Sequence, residues 1–197
     1  IIWMGSKQDG LFRLERTGEN RFKIRQFTHQ KDDPYSLSYN SIYTIFQDSK
    51  NRIWVGCYGG GLNLIEETQE GNIRFLHSGN KLTGYSKDRF AKVRYITEAN
   101  QVLLVGTTEG LLTFSSEFTQ PEQIEFYRNI RIPDKVSSLC SNDVIYIYTD
   151  SRKDTYVLSF TGGLNKILSE NLLSNEIEFK TYTTQNGLPS DLVESMI

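Results

Sequence analysis

Apolar residues recur along the whole chain in short runs broken by polar turns, and none of these runs follows the three-and-four spacing of an amphipathic helix. Ile2-Trp3-Met4-Gly5, Ile53-Trp54-Val55-Gly56 and Leu103-Leu104-Val105-Gly106 share a β-rich triplet ending in glycine, with Tyr156-Val157-Leu158-Ser159 as a degenerate fourth copy. The glycine steps are 56 − 5 = 51 and 106 − 56 = 50. A short polar turn follows each copy and leads into Gly-Leu at 10–11, 61–62, 110–111 and 163–164. Each unit then carries an aromatic strand, at Phe22 to Phe27, Ile73 to Phe75, Ile124 to Tyr127, and Ile177 to Tyr182. New apolar segments open at Asn40, Arg89, Asn142 and Asp191.

Each period thus holds four strand-like runs separated by turns, which predicts an all-β β-propeller of about four four-stranded blades. The repeat is carried by Trp3, Gly5, Trp54, Gly56, Gly61, Leu62, Gly106, Gly110 and Gly163. The blade units fall at about 1–28 (incomplete), 40–77, 89–128, 142–183 and 190–197, the last being the start of another blade. Both ends are expected to be cuts inside blades, making the chain an arc. Ser41 to Phe46 is apolar on both alternating faces, which predicts a strand sandwiched between sheets. Arg21-Phe22-Lys23-Ile24-Arg25 alternates, as an outer strand with one wet face should. The stretch from Gly56 to Gly61 is expected to be the tight turn between second and third strands, where glycine reaches positive φ. No lysine-serine pair or helix pattern follows it, as a phosphate-binding loop would need.

Composition changes this picture little. Eleven Tyr, eleven Phe and fifteen Gly against four Pro suit strands joined by tight turns, and the formal charge of −2 gives no bulk signal for nucleic acid or an anionic membrane. No apolar run is long enough to span a bilayer. Two cysteines, Cys57 and Cys140, are too few for a disulfide framework, and their redox state stays open.

The segment Phe27-Thr28-His29 through Asp33-Pro34-Tyr35-Ser36-Leu37-Ser38-Tyr39-Asn40-Ser41-Ile42 leads to Asp48-Ser49-Lys50-Asn51-Arg52-Ile53-Trp54-Val55-Gly56 and Gly60-Gly61-Leu62-Asn63. Together with Asn186-Gly187-Leu188-Pro189-Ser190-Asp191, it resembles the two-component regulator propeller repeat. The resemblance implies the periplasmic sensor region of a Bacteroides-type hybrid histidine kinase, in which a seven-bladed propeller precedes a small β-sandwich, a membrane helix and cytoplasmic kinase modules. It is weaker in the third and fourth units, where Leu104 and Val157 stand in for the tryptophan, Ser159 stands in for the glycine, and both turns before Gly-Leu read one residue shorter.

The chemistry-bearing residues point away from catalysis. His29 and His77 each follow a repeat phenylalanine by two positions, so they are expected to sit a blade width apart as solvated strand ends. Asp48 with Asn51, and Asp150 with Asp154, fit hairpin turns better than a calcium loop, whose glutamate is absent. No Gly-x-Ser-x-Gly nucleophile pattern occurs. No catalytic residue, metal site or cofactor is expected. A ligand face is expected from the loops entering the inner strand and the turns between strands two and three, offering Asp9, Tyr35, Tyr39, Tyr58, Arg89 and Glu109. Tyrosines stack on sugar rings while charged groups fix a charged saccharide. The function that the resemblance implies is an extracytoplasmic, non-catalytic module sensing an oligosaccharide, with the remaining blades and sensor domains of the same chain, and a homodimer, as expected partners. A protein-interaction platform, or a lyase or hydrolase propeller, is the alternative.

Overall fold

The computed structural model describes residues 1–196, and it divides into two compact units, Ile1–Val93 and Arg94–Ile197. In the first unit, β1 (Ile2–Gly5), β2 (Leu11–Gly18) and β3 (Arg21–Phe27) form a three-stranded sheet. β4 (Ile42–Gln47), β5 (Ile53–Cys57), β6 (Gly61–Glu67) and β7 (Ile73–Leu76) form a four-stranded sheet, followed by a short helix α1 (Lys87–Phe90). β8 (Val93–Ala99), which starts at the unit boundary, is joined by β9 (Val102–Thr107), β10 (Gly110–Ser115) and β11 (Tyr127–Asn129). β12 (Val144–Thr149), β13 (Thr155–Ser159), β14 (Gly163–Ile167) and β15 (Phe179–Tyr182) complete the second unit. Every sheet is an antiparallel meander with neighbours in sequence paired, which is the construction of a propeller blade.

Apolar side chains are buried between successive sheets. In the first unit Leu11, Leu37, Ile42, Val55, Cys57 and Phe75 cluster, with Trp3 and Phe27 packed against them. In the second, Leu104, Leu111, Leu139, Val144, Val157 and Phe179 play the same part. Burial of each large side chain contributes roughly 1.5–3 kcal/mol.

The glycines of the repeat divide into two jobs. Gly61, like its counterparts in the other units, has positive φ (+75°), as the turn reading expected. Gly56 does not; a Cβ there would lie 2.5 Å from side-chain carbons of Thr44 and Val93, so glycine is needed because the next sheet's first strand passes against it. Gly106 meets Val144 in the same way, at 2.8 Å.

Three expectations about individual strands are corrected. The first strands are not buried on both faces: Tyr43 in β4 is 40% exposed, whereas Trp54, Val55, Gly56 and Cys57 in β5 are all buried. β4 is an edge of its sheet, and only the central strands have ladder partners on both sides. The segment opening at Arg89 begins as α1, closed by Phe90 N–H donating to the Ser86 carbonyl, and its strand starts at Val93. The third outer strand runs over Tyr127–Asn129 rather than from Ile124, because a 3₁₀ turn at Pro121–Gln123 occupies the approach.

The fourth unit is offset by one residue from the motif alignment. Leu158 pairs with Leu164 as Gly56 pairs with Leu62, so Leu158 holds the glycine position and Tyr156, not Val157, the tryptophan position. Ser159 then matches Cys57, and the turn before Gly163 is not shortened.

Residues 190–196 form no strand, and Ile197 lies outside the described residues. Gly163 N–H nevertheless donates to the Asp191 carbonyl (2.9 Å), as Gly10 donates to Asn40 and Gly61 to Ala91 (2.9 Å) just before β4 and β8.

Candidate functional site

The turns are held by carboxylates. Asp48 is buried and accepts from the Lys50 and Arg52 amides at Oδ1, and from Arg52 Nε (2.7 Å) and Trp54 Nε1 (2.9 Å) at Oδ2. Asp150 accepts from the Arg152 and Asp154 amides. These are hairpin turns, as their spacing led one to expect.

A buried asparagine on the third strand of a sheet clasps the loop that precedes its first strand. Asn63 Oδ1 accepts from the Ser38 amide (3.0 Å), while Nδ2 donates to Ser38 Oγ (2.8 Å) and Cys57 Sγ (3.3 Å). Asn165 does the same with the Cys140 amide (3.0 Å), Cys140 Sγ (3.0 Å) and Ser159 Oγ (3.4 Å), so serine and cysteine have exchanged places. Cys57 also donates to the Tyr39 carbonyl, and burial pushes its thiol up to about 11.

This clasp sets the position of Tyr39. Its ring lies over the β5–β6 turn, where a Cβ on Gly59 would come within 2.7 Å of it. Tyr39 and Tyr58, with Lys7, Gln8, His29, Asn40 and Ser41, line a cavity of about 510 Å³. Behind Tyr58 stands Tyr43, stacked on it at 4.6 Å between centroids and 20° between planes. Lys7 Nζ sits 5.6 Å from the Tyr43 ring centre and Lys92 Nζ 5.3 Å from that of Tyr58. The result is a stacked pair of phenols, each with an ammonium group against its ring, drawn from the β1–β2 turn, β4, the end of β5 and the entry to β8. Tyr58 is fixed there by its amide bond to the Ser41 carbonyl and its bridge to Lys92.

Of the sequence-selected residues, the structure brings Tyr39 and Tyr58 together. Asp9 is engaged within its own turn, accepting from the Ser6 hydroxyl (2.9 Å). Tyr35 is tied to the outer strand, its carbonyl accepting from the Phe75 amide and its ring lying 5.1 Å from the Arg74 guanidinium carbon. Arg89 is exposed on α1, and Glu109 belongs to the other unit, in the turn between β9 and β10. Lys7, Tyr43 and Lys92 were not singled out by sequence, although Lys7 follows Gly5 by two residues as Tyr58 follows Gly56.

The two histidines share an opening that their repeat positions did not imply: both line a second cavity of about 400 Å³, with Tyr85, Ser86, Lys87 and Asp88. The loop of residues 34–38, held by Asn63, brings them onto one opening. His29 Nδ1 lies 2.8 Å from the Leu37 carbonyl. His77 Nδ1 accepts from the Gly79 amide, and burial together with the Lys87 charge holds its imidazole below its usual range. Among the described residues no three His, Cys, Asp or Glu side chains gather as a metal site would require.

Residues 36–59, which contain Tyr39, the Asp48 turn, Trp54 and Tyr58, match the family described as the two-component regulator propeller. That stretch is similar to one repeat of this family. A stretch of 65 residues is 37% identical to Histidine kinase P4 of Formosa agariphila, covering 33% of this chain and 4% of that one. In three dimensions the chain is similar to the extracellular domain attributed to the hybrid two-component system BT3049 of B. thetaiotaomicron (TM-score 0.62, 18% identity, 93% of this chain and 21% of that). It is also similar to the corresponding domain of BT4673 (TM-score 0.58, 18% identity, 90% and 23%). At that identity the likeness is one of fold, and the chain spans less than a quarter of any of these proteins. No helix among the described residues is long and apolar enough to cross a membrane.

Proposed function

We propose that this regulator propeller is a ligand-sensing, extracytoplasmic segment of a hybrid two-component histidine kinase, lying in the periplasm and responding to an oligosaccharide. The observation that carries the reading is the tyrosine-lined cavity within a regulator propeller repeat. Tyr39 gives a flat apolar face with a hydroxyl rim, Tyr58 gives a ring edge and hydroxyl, and Gln8, Asn40 and Ser41 give amide and hydroxyl partners, the combination that a sugar ring's alternating C–H and O–H faces require. Nothing in this set acts as a nucleophile with its base, so the segment binds and transmits, and the phosphotransfer chemistry belongs to other modules of the chain. Its partners are the neighbouring blades and sensor domains, and a second copy in a signalling dimer. We take the blade units as 1–28 (incomplete), 40–77, 89–128, 142–183 and the start of another at 190–197, and the Gly163–Asp191 bond, like those of Gly10 and Gly61, supports the last of these.

The test is thermal-shift fluorimetry of the whole extracytoplasmic region against a panel of gut, algal and host polysaccharide fragments. A concentration-dependent rise in melting temperature with one glycan is expected through binding linkage. Silence across the panel would instead move the reading to a protein-interaction platform.

A further inference from the structure

The cavity that Tyr39 and Tyr58 line is not neutral. Lys7 lines it, Lys92 stands over the Tyr58 ring beside it, and no carboxylate is among its lining residues. Both lysines are exposed, and among the described residues neither forms a salt bridge, in contrast to Arg13, Arg52, Arg94 and Lys166, each paired with a carboxylate. The nearest acid in sequence to Lys7, Asp9, spends its carboxylate on the Ser6 hydroxyl. Two ammonium groups therefore flank a stacked aromatic pair with their charge uncompensated. A cation over a phenol face gains only about 0.5–1 kcal/mol at an exposed site, so each amine remains available to an incoming anion.

We propose, resting on the sensor reading above, that the ligand is an acidic oligosaccharide, one whose sugar rings lie against Tyr39 and the edge of Tyr58 while its carboxylate or sulfate groups are met by Lys7 and Lys92. Lys7 and Lys92 stand over two different rings, Tyr43 and Tyr58, which are stacked at 4.6 Å, so each ammonium group is placed to meet an acidic group of its own. His29 lines the same cavity and adds no negative charge.

The experiment measures binding of tetragalacturonate, a carrageenan tetrasaccharide and neutral galactotetraose to the whole extracytoplasmic region by calorimetry, at low and high salt. Carboxylate and sulfate sources are separated by the first two probes. At least one acidic probe is expected to bind tenfold or more tighter than the neutral one, and to weaken as salt screens the exposed charges. Lys7→Gln and Lys92→Gln are each expected to lose about three- to tenfold in affinity for that probe, with unchanged melting temperature in its absence because both side chains are exposed. Tyr43→Ser serves as a second variant that weakens binding without altering charge. Equal affinity for the neutral probe, no binding of either acidic probe, or acidic binding indifferent to both lysine substitutions would overturn the acidic-ligand assignment while leaving sensing intact. Failure of every glycan in the wider panel would remove both.

Discussion

Trp54 is fully buried, and its indole N–H donates to a carboxylate that is itself buried and organises the β4–β5 turn. Replacing it with alanine removes the largest side chain in its sheet's core and leaves Asp48 Oδ2 short of one donor. Truncation of a buried tryptophan costs about 3–5 kcal/mol. Trp54→Phe keeps most of the apolar volume and forfeits chiefly the bond to a charged group, roughly 1.5–3 kcal/mol. At about 2–4 °C per kcal/mol for a chain of this size, alanine is expected to lower the melting temperature by roughly 6–20 °C. Urea denaturation followed by far-ultraviolet circular dichroism reads the loss directly, with Trp3 retained as a fluorescence reporter of the neighbouring sheet. Combining Trp54→Phe with Asp48→Asn in a double-mutant cycle isolates the indole–carboxylate term, expected at about 0.5–3 kcal/mol. A cost under about 1 kcal/mol for Trp54→Ala would mean that the strand does not run where the structure puts it.

Two further outcomes follow from titratable groups. His77 is held below its ordinary value of 6.5 in the folded chain, so the unfolded chain takes up its proton first as the pH drops. Its contribution to stability is therefore complete above pH 6.5 and is lost as the pH falls through the folded value; a pH series of melting temperatures should show this loss, and His77→Gln should flatten it. With its thiol near 11, Cys57 is about one part in a thousand thiolate at pH 8, so a thiol reagent should modify half-buried Cys140 first and reach Cys57 only on unfolding. Modification of Cys57 at the rate of a free thiol in the native protein would contradict its burial.

Much of the architecture was legible because the repeat spaces its turns at a nearly constant period, and Gly61 and Asp48 mark turns by chemistry that needs no tertiary context. The one-residue offset at Tyr156 was missed because the fourth unit carries Leu158 where the others have glycine. The interval from Asp48 to Trp54 is six residues, as is that from Asp150 to Tyr156, and that interval was the better ruler. The cavity was legible only in Tyr39 and Tyr58. Its charge comes from Lys7, which lines it, and from Lys92 over the adjoining Tyr58 ring, and linear spacing records no such convergence. That both histidines open onto one cavity was not legible either, since a clasped loop beside them, not a strand period, shapes it.

The asparagine clasp has a consequence for how such blades can be exchanged. Asn63 and Asn165 each require one hydroxyl and one thiol, and the two sheets supply them in opposite order, loop serine with strand cysteine in one and loop cysteine with strand serine in the other. What is specified is the sum over the pair and not the residue at either place. Loop and strand are thereby matched within a blade, and a transplanted loop fits a foreign blade only if its sulfur or oxygen complements the one already on the strand.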